Sequence, residues 1–316
     1  METIKLNKIL EFEKCIRNLH GDANIIVEDD GFDYIFPDDL GHAIDYCNFK
    51  INLDFSKMSE LERFGAVEKE DGSFSDYLQG NTCIEKVILP EDLKVIGDNA
   101  FYNWKGLKEI NIPKSVQYIG EAAFNKTAIK EIHIPKGVKE ILENTFRGAE
   151  NLEEVEIPNT VEKIHICAFD RCSSLKNIKI PNSVEGLYRN TFRGCTSLTD
   201  IEIPESVYYT YSSFDGCTSL ENVKLPNSLD EISEKMFYGC TSLKSITIPE
   251  FIDKINESAF EGCTSLTSIE IPALVDFIGK NAFKNCSSLL NISVSKETLI
   301  EPSAFEGCPG KPVIRD

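Results

Sequence analysis

The cysteines have the widest chemical range in this sequence, because thiolates ligate metals, form disulfides and act as nucleophiles. A zinc site needs paired Cys-x-x-Cys spacing so that four ligands converge, and the sequence contains no such pair. Equivalent positions with parallel Cβ vectors also suit a disulfide poorly. We therefore predict buried free thiols and no bound metal for the seven cysteines that share one position of a repeated pattern, three residues after a recurring phenylalanine: Cys172, Cys195, Cys217, Cys240, Cys263, Cys286 and Cys308.

The histidines are the natural candidates for acid–base catalysis. The four of them, His20, His42, His133 and His165, are scattered along the chain. None belongs to an H-E-x-x-H motif, and the sequence has no glycine-rich phosphate loop, nucleophile elbow or paired catalytic carboxylates. We therefore expect a protein with no enzymatic activity, no catalytic residues and no cofactor.

The phenylalanines and prolines around these cysteines recur with a fixed period, which indicates a repeat architecture. Consecutive members of each row lie 22 or 23 residues apart. The prolines stand at positions 90, 113, 135, 158, 181, 204, 226, 249 and 272. The phenylalanines stand at positions 101, 124, 146, 169, 192, 214, 237, 260, 283 and 305.

Each repeat predicts a strand, a return segment and a turn. The run Leu243–Ile248 is rich in β-branched residues and predicts a short strand, which Pro249 ends because proline has no N–H to donate. The run Phe251–Ile255 predicts a second extended segment on the return side. Phe260 should fill the interior, and Gly262 should form a corner. One coil cannot bury its apolar side alone, so the coils must stack, with parallel strands about 4.8 Å apart.

The repeating unit A-F-x-G-C-T-S-L-x-x-I-x-I-P-x-S-V-x-x-I-G resembles the BspA-like, Treponema-type leucine-rich repeats. The resemblance covers roughly residues 78–308. It implies a mainly β repeat solenoid, a curved right-handed leucine-rich-repeat structure with a parallel concave sheet. Several members of this family are adhesins of bacterial surfaces that bind host matrix proteins or other cells, so the resemblance favours a cell-surface or secreted location.

The two ends of the chain depart from the repeat and should cap it, since terminal coils expose apolar surface and strand edges. Residues 1–77 predict a small α/β N-terminal cap, with an amphipathic helix from Ile4 to His20, a shorter helix from Asp38 to Cys47 and the first strand of the sheet at Ile51–Phe55. Residues 66–77 predict an exposed loop. Residues 78–308 form the repeats, and 309–316 form a C-terminal tail that should fold over the final edge.

Charge and hydropathy narrow the range of partners. The formal net charge of −19 repels phosphate backbones and anionic lipid headgroups, so we expect neither nucleic-acid binding nor membrane insertion. The N-terminus shows no apolar signal-peptide region, which by itself would favour the cytoplasm. We expect a monomer.

The outward positions of the predicted strands are a first candidate binding surface. One group is acidic and comprises Glu109, Glu131, Glu154 and Glu156, with His133 beside it. A second group, Lys179, Glu202 and Lys224, continues from Glu156 with alternating charge. Opposite charges on adjacent strands stabilise strand stacking weakly, so these residues serve either the sheet itself or recognition of a partner.

A second candidate surface is aromatic. Two consecutive repeats replace the usual return segment and place Tyr188, Tyr208, Tyr209 and Tyr211 close together near Arg189. Tyrosine is favoured at interfaces because it adds contact area at a small cost in entropy. The alternative interpretation is local repacking around the residue that is missing before Phe214.

These observations favour a non-enzymatic, adhesin-like scaffold that binds a protein partner through the concave face or the tyrosines. A carbohydrate-binding module or a β-helix-like polysaccharide enzyme is the alternative. Such an enzyme needs a tight set of Asp, Arg or Lys residues on one face, whereas the strand charges here alternate.

Overall fold

The structure, a computed structural model, describes residues 1–7, 15–16, 18–28, 34–35, 49–65 and 81–315. These residues fall into two compact units, Met1–Thr160 and Val161–Asp316. Each unit is a β-solenoid of stacked coils, in which every described strand pairing is parallel. A coil places one strand on what we call the strand face and a second, two-residue strand on the return side.

The first unit has seven described strands on its strand face: β1 (Glu2–Leu6), β2 (Ala23–Glu28), β4 (Ile51–Lys57), β6 (Ile84–Ile88), β8 (Glu109–Asn111), β10 (Glu131–His133) and β12 (Glu154–Glu156). Its return side holds β3 (Tyr34–Ile35), β5 (Arg63–Phe64), β7 (Val95–Ile96), β9 (Tyr118–Ile119) and β11 (Glu140–Ile141). One sheet has the order β1-β2-β4-β6-β8, a second pairs β10 with β12, and a third has the order β3-β5-β7-β9.

The second unit has five described strands on its strand face: β15 (Asp200–Glu202), β17 (Asn222–Lys224), β20 (Ser268–Glu270), β22 (Asn291–Ser295) and β24 (Pro312–Arg315). Its return side holds β13 (Lys163–Ile164), β14 (Gly186–Leu187), β16 (Tyr209–Thr210), β18 (Glu231–Ile232), β19 (Lys254–Ile255), β21 (Phe277–Ile278) and β23 (Leu299–Ile300). On the strand face, β15 pairs with β17, and a three-stranded sheet has the order β20-β22-β24. On the return side, paired strands follow the order β13-β14-β16, and a four-stranded sheet has the order β18-β19-β21-β23.

The phenylalanine row fills the interior of each unit, as predicted. Phe260 is fully buried, and its ring stacks on Phe237 and Phe283 at centroid distances of 5.3 and 5.0 Å. In the first unit Phe124 stacks on Phe101 and Phe146 at 5.3 and 5.6 Å. The fixed repeat length keeps these rings in register, because a shift of one residue would carry a phenylalanine off the column.

Two left-handed backbone positions flank Phe260, at Ser258 (φ 55°) and Gly262 (φ 77°). Gly262 is therefore the corner that the sequence predicted, since a residue without Cβ adopts positive φ without strain. The first position is left-handed in most of the other coils as well, and asparagine, which tolerates this conformation, occupies it repeatedly: Asn99, Asn144, Asn190 and Asn281.

The cysteine row lies beside the phenylalanines, and none of its seven members is disulfide-bonded, as predicted. The six from Cys172 to Cys286 are buried, whereas Cys308 at the end of the row is only half-buried. Each thiol from Cys195 to Cys308 donates to the carbonyl of a phenylalanine in the preceding coil, for example Cys263 Sγ to Phe237 O at 3.2 Å. Burial raises the pKa of the Cys263 thiol to about 12. The first unit has Trp104, Thr127 and Ala149 at this position, all buried.

Two predicted strands are not formed, and one of them, at residues 175–180, has only an isolated bridge between Asn177 and Asp200. The segment Leu243–Ile248 has no ladder pairing, although the equivalent segments of the neighbouring coils are β17 and β20. Its side chains nevertheless alternate, with Leu243 and Ile248 buried and Ser245 and Thr247 exposed. Inward packing of the apolar side chains therefore defines the coil more strongly than the ladder hydrogen bonds do.

The N-terminal region differs from the prediction. The helix expected to begin at Ile4 does not, because Glu2–Leu6 is strand β1 and pairs in parallel with β2. The predicted strand Ile51–Phe55 exists within β4, but it is the third strand of its sheet and not the first. Coils therefore begin well before residue 78. Residues 8–14 of the predicted helix, the second helix at Asp38–Cys47 and the loop 66–77 lie outside the described residues.

The C-terminal tail adds a strand to the last sheet. β24 pairs with β22, and the Arg315 guanidinium contacts Glu270 Oε1 at 2.7 Å. The tail thus lies along the final edge, as the sequence predicted.

Candidate functional site

The acidic strand face, which we define as Glu109, Glu131, Glu154 and Glu156, lies in the first unit. All four side chains are exposed on β8, β10 and β12. Glu131 and Glu154 are direct neighbours in the β10–β12 register, so two like charges stand side by side, which is unfavourable. The structure therefore brings the predicted acidic residues together.

Several of these charges have partners within the strand face. Lys86 Nζ contacts Glu109 Oε2 at 2.8 Å, and His133 Nδ1 lies 2.8 Å from Glu156 Oε2. The predicted histidine is thus a surface residue held by a neighbouring carboxylate. These contacts support the interpretation that part of this face serves strand stacking.

The strand face of the second unit carries the other predicted charges. Lys224 Nζ contacts Glu202 Oε1 at 2.5 Å across the β15–β17 pair, and the Glu202 carboxylate raises the pKa of Lys224. Lys179 is exposed in the preceding coil and lines an open polar groove of about 750 Å³ with Asp200 and Asn222. The Glu202–Lys224 pair matches the stacking interpretation of the alternating charges.

The tyrosine patch, which we define as Tyr188, Tyr208, Tyr209 and Tyr211, lies on the return side of the second unit. Tyr209 is its centre, with ring centroids 5.1 Å from Tyr188, 5.0 Å from Tyr208 and 6.0 Å from Tyr211. Tyr208 and Tyr211 are 54% and 50% exposed. The structure therefore brings all four predicted tyrosines into one cluster, half of which faces solvent. Arg189 follows Tyr188 and is also exposed.

Two further residues belong to this site and were not predicted. The His165 ring stacks on Tyr188, with a centroid distance of 4.9 Å and an interplanar angle of 7°. Gly186 lies beneath Tyr209, because a Cβ at this glycine would stand 1.9 Å from Tyr209 Cζ. His165 and Gly186 stand 23 residues before Tyr188 and Tyr209, so the repeat period alone could have placed both beside the tyrosines.

The coil that carries Tyr209 also departs from the repeat in its interior. Ile232 and Ile255 occupy the return strands of the next two coils, where this coil has Thr210, whose Oγ1 lies 3.3 Å from Met236 Sδ. Ser213 Oγ in this coil and Ser233 Oγ in the next coil are buried and have no hydrogen-bond partner among the described residues. Each buried hydroxyl without a partner costs roughly 1–3 kcal/mol. The core near the tyrosine patch therefore contains two such hydroxyls, and the first unit has comparable buried atoms at Asn103 Oδ1 and Asn125 Oδ1.

The electrostatic environment keeps the central tyrosine neutral. Burial, together with a hydrogen bond to Tyr188, raises the pKa of the Tyr209 hydroxyl above its ordinary value. The Tyr209 hydroxyl consequently remains a donor at physiological pH, while the exposed rings of Tyr208 and Tyr211 offer apolar contact area. This combination suits recognition of another molecule.

No group of three or more His, Cys, Asp or Glu side chains in the described residues could hold a metal ion. Nor does this part of the chain contain a helix with the length and hydropathy needed to cross a bilayer.

Stacked parallel coils with an interior row of phenylalanine and leucine define a leucine-rich-repeat solenoid. Known proteins agree with this class, because the BspA type leucine-rich repeat region matches residues 72–199 and 186–311, with six copies. The chain therefore belongs to the BspA type leucine-rich repeat family. No curated protein matches the sequence.

Three solved structures illustrate the similarity. A leucine-rich repeat protein from Bacteroides ovatus is 28% identical, with a TM-score of 0.54, and the match covers 83% of this chain and 78% of that one. A leucine-rich cell surface protein from Faecalibacterium prausnitzii is 23% identical, with a TM-score of 0.57 and coverage of 99% and 89%. The pneumococcal vaccine antigen PcpA is 20% identical, with a TM-score of 0.52 and coverage of 90% and 70%. The last two establish similarity of fold alone.

Proposed function

We propose that this leucine-rich repeat protein is an adhesin-like, non-enzymatic scaffold that binds a protein partner through the tyrosine patch. The observation that carries the proposal is the exposed cluster around Tyr209, in a coil that departs from the repeat on its surface and in its core. Tyrosines concentrate at interfaces because they combine apolar area with a hydroxyl. The cell-surface description of the Faecalibacterium prausnitzii protein supports a similar setting for this chain.

The ring geometry favours a protein partner over a glycan. Tyr208 and Tyr188 meet the Tyr209 ring at interplanar angles of 73° and 80°. The patch therefore presents ring edges and faces together, which surrounds a protruding side chain better than it supports the flat face of a sugar ring. Carbohydrate binding is the alternative function that the experiment must separate.

The test compares the full chain with the variant Tyr208→Ser/Tyr211→Ser. Both proteins are passed over immobilised matrix glycoproteins and, separately, over an array of free glycans. We expect the wild type to bind at least one matrix protein and the variant to lose at least tenfold in affinity, since interface tyrosines commonly contribute about 2 kcal/mol or more. Binding should change little with salt, because the patch acts through apolar contact.

A matched control is Tyr238→Ser, which removes an exposed tyrosine of the same unit outside the patch. Its affinity should equal that of the wild type. Binding to glycans in place of proteins, or equal losses in the control and the patch variant, would contradict the proposed function.

A further inference from the structure

A row of serines at the start of the return side has a clear structural role in the second unit. Ser183, Ser206 and Ser228 each stand two residues after a repeat proline. Their hydroxyls donate to backbone carbonyls of the preceding coil, at Val161, Val184 and Val207, over distances of 2.5–2.6 Å. Serine at this position therefore helps to tie each coil to the one before it.

In the next two coils large apolar side chains replace this serine. Phe251 and Leu274 occupy the equivalent positions after Pro249 and Pro272, and they are 67% and 58% exposed. They neither make the serine hydrogen bond nor enter the core. Their neighbours Ile252 and Val275 fill the interior instead, so the requirements of the fold do not explain Phe251 and Leu274.

Two more apolar side chains extend this surface. Phe277 and Leu299 are paired in register on β21 and β23, and Leu299 is 64% exposed while Phe277 is half-buried. We call Phe251, Leu274, Phe277 and Leu299 the apolar patch. It covers three consecutive coils, about 10 Å at the spacing of parallel strands. A cluster of apolar side chains on a solvent-exposed face commonly marks an interaction site.

A row of carboxylates runs through the apolar patch. Asp230, Asp253 and Asp276 hold the same position in three successive coils, since the N–H of Asp253 donates to Asp230 O and that of Asp276 to Asp253 O at 2.8 and 2.9 Å. Asp230 and Asp276 are exposed and Asp253 is half-exposed. Lys254 Nζ lies 3.6 Å from Asp253 Oδ2 and offsets part of this charge. Like charges at the strand spacing repel each other, and an incoming cation would relieve that repulsion.

We infer that the apolar patch is a second docking surface, separate from the tyrosine patch, for a protein segment that carries apolar side chains beside lysine or arginine. Apolar side chains of the segment would cover Phe251 and Leu274, and its cations would lie along Asp230, Asp253 and Asp276. A second copy of this chain is a poor occupant, because its own patch would oppose three carboxylates to three carboxylates. Anionic lipid is a poor occupant for the same electrostatic reason.

The experiment uses the full chain and a fluorescein-labelled amphipathic peptide built from leucine and lysine, with the same peptide carrying glutamate for lysine as its counterpart. Fluorescence anisotropy measures both affinities. The variant Phe251→Ser/Leu274→Ser restores the residue type of the three preceding coils, so the fold should be preserved. We expect it to bind the lysine peptide at least tenfold more weakly than the wild type.

The carboxylate row is tested separately with Asp253→Asn/Asp276→Asn. This variant should weaken binding of the lysine peptide severalfold and flatten its salt dependence, because exposed charges are screened within about 8 Å at physiological ionic strength. It also keeps the inference testable if the serine variant fails to fold. The matched control, Leu290→Ser, changes an equally exposed leucine outside the patch and should bind like the wild type.

Three results would overturn the inference. The first is unchanged affinity in the serine and asparagine variants, and the second is equal binding of the glutamate peptide. The third is sedimentation showing that the wild type self-associates and the serine variant does not, which would make a second copy the occupant. None of these results depends on the tyrosine patch, so the two surfaces stand or fall separately.

Discussion

The acidic strand face and the tyrosine patch depart from the same repeat in two different ways. Glu131 and Glu154 occupy outward strand positions, which the coil leaves free to vary, and they touch none of the interior. Tyr209 occupies a return strand, lies over Gly186 and shares its coil with the buried Ser213, which has no hydrogen-bond partner in the described part of the chain. We expect the first departure to cost the fold little and the second to lower its stability.

This difference separates variation that the fold permits from variation that it resists. A charged residue at an outward strand position needs no further explanation, because solvent accepts it. The coil of Tyr209 lacks one residue and buries the Ser213 hydroxyl without a described partner, and the preceding coil keeps Gly186 beneath the Tyr209 ring. We expect these features to lower stability, which proteins commonly accept at functional sites. The comparison is therefore the reason for placing the binding site at the tyrosine patch.

The largest expected effect tests whether the interiors of the two units are packed in the same way, so that the units differ only at particular sites. Phe124→Ala in the first unit and Phe260→Ala in the second each remove a fully buried ring stacked on two others. Each should lower the free energy of unfolding by about 3–5 kcal/mol, as measured by chemical denaturation. Hydrogen exchange should increase mainly in adjacent coils, because a solenoid transmits damage to its neighbours. A loss below about 1 kcal/mol at either site would show that the two interiors are not packed in the same way.

A smaller effect is expected at Gly186, where the cost of the tyrosine patch can be measured directly. Gly186→Ala places a Cβ within the Tyr209 ring, so the ring must move, and we expect a loss of about 1–3 kcal/mol in the free energy of unfolding. Binding through the patch should weaken at the same time.

The control for this prediction is a double-mutant cycle with Tyr209→Ala. In that background Gly186→Ala should lower the free energy of unfolding much less, because the Tyr209 ring with which the new Cβ clashes is absent. The coupling energy between the two substitutions should exceed about 0.5 kcal/mol. Equal effects in both backgrounds would show that Gly186 serves the backbone rather than the tyrosine.

The sequence predicts the repeated parts of this molecule well, because each structural requirement appears once per coil. The inward phenylalanines, the glycine corner at Gly262 and the buried thiols all follow from a position that recurs every 22 or 23 residues. The clustering of the four tyrosines follows as well, since stacked coils bring residues one repeat apart together.

The sequence predicts the non-repeated parts poorly, because there only tertiary pairing decides. Ile4 and Leu6 fit a helix that continues through Ile9 and Leu10, but β1 forms because β2 offers a parallel partner. Phe251 looks like a core residue by type, yet it stands at a turn where the chain directs Ile252 inward. At both places the residue type is compatible with two environments, and the neighbouring chain selects one.

The smallest expected change in stability is at the acidic strand face, where it decides between the two surfaces. Glu131→Lys/Glu154→Lys should change the free energy of unfolding by no more than about 0.5 kcal/mol, because both side chains are exposed and touch no core residue. If the tyrosine patch is the binding site, this variant should also bind the partner with wild-type affinity at low and at physiological salt. Loss of binding in this variant, with wild-type binding that weakens as salt increases, would instead place the site on the acidic strand face. Thermal unfolding measures the change in stability, and binding assays at the two salt concentrations measure the affinity for the partner. If the variant is stable and binds normally, the charges of the acidic strand face are not needed for recognition of this partner.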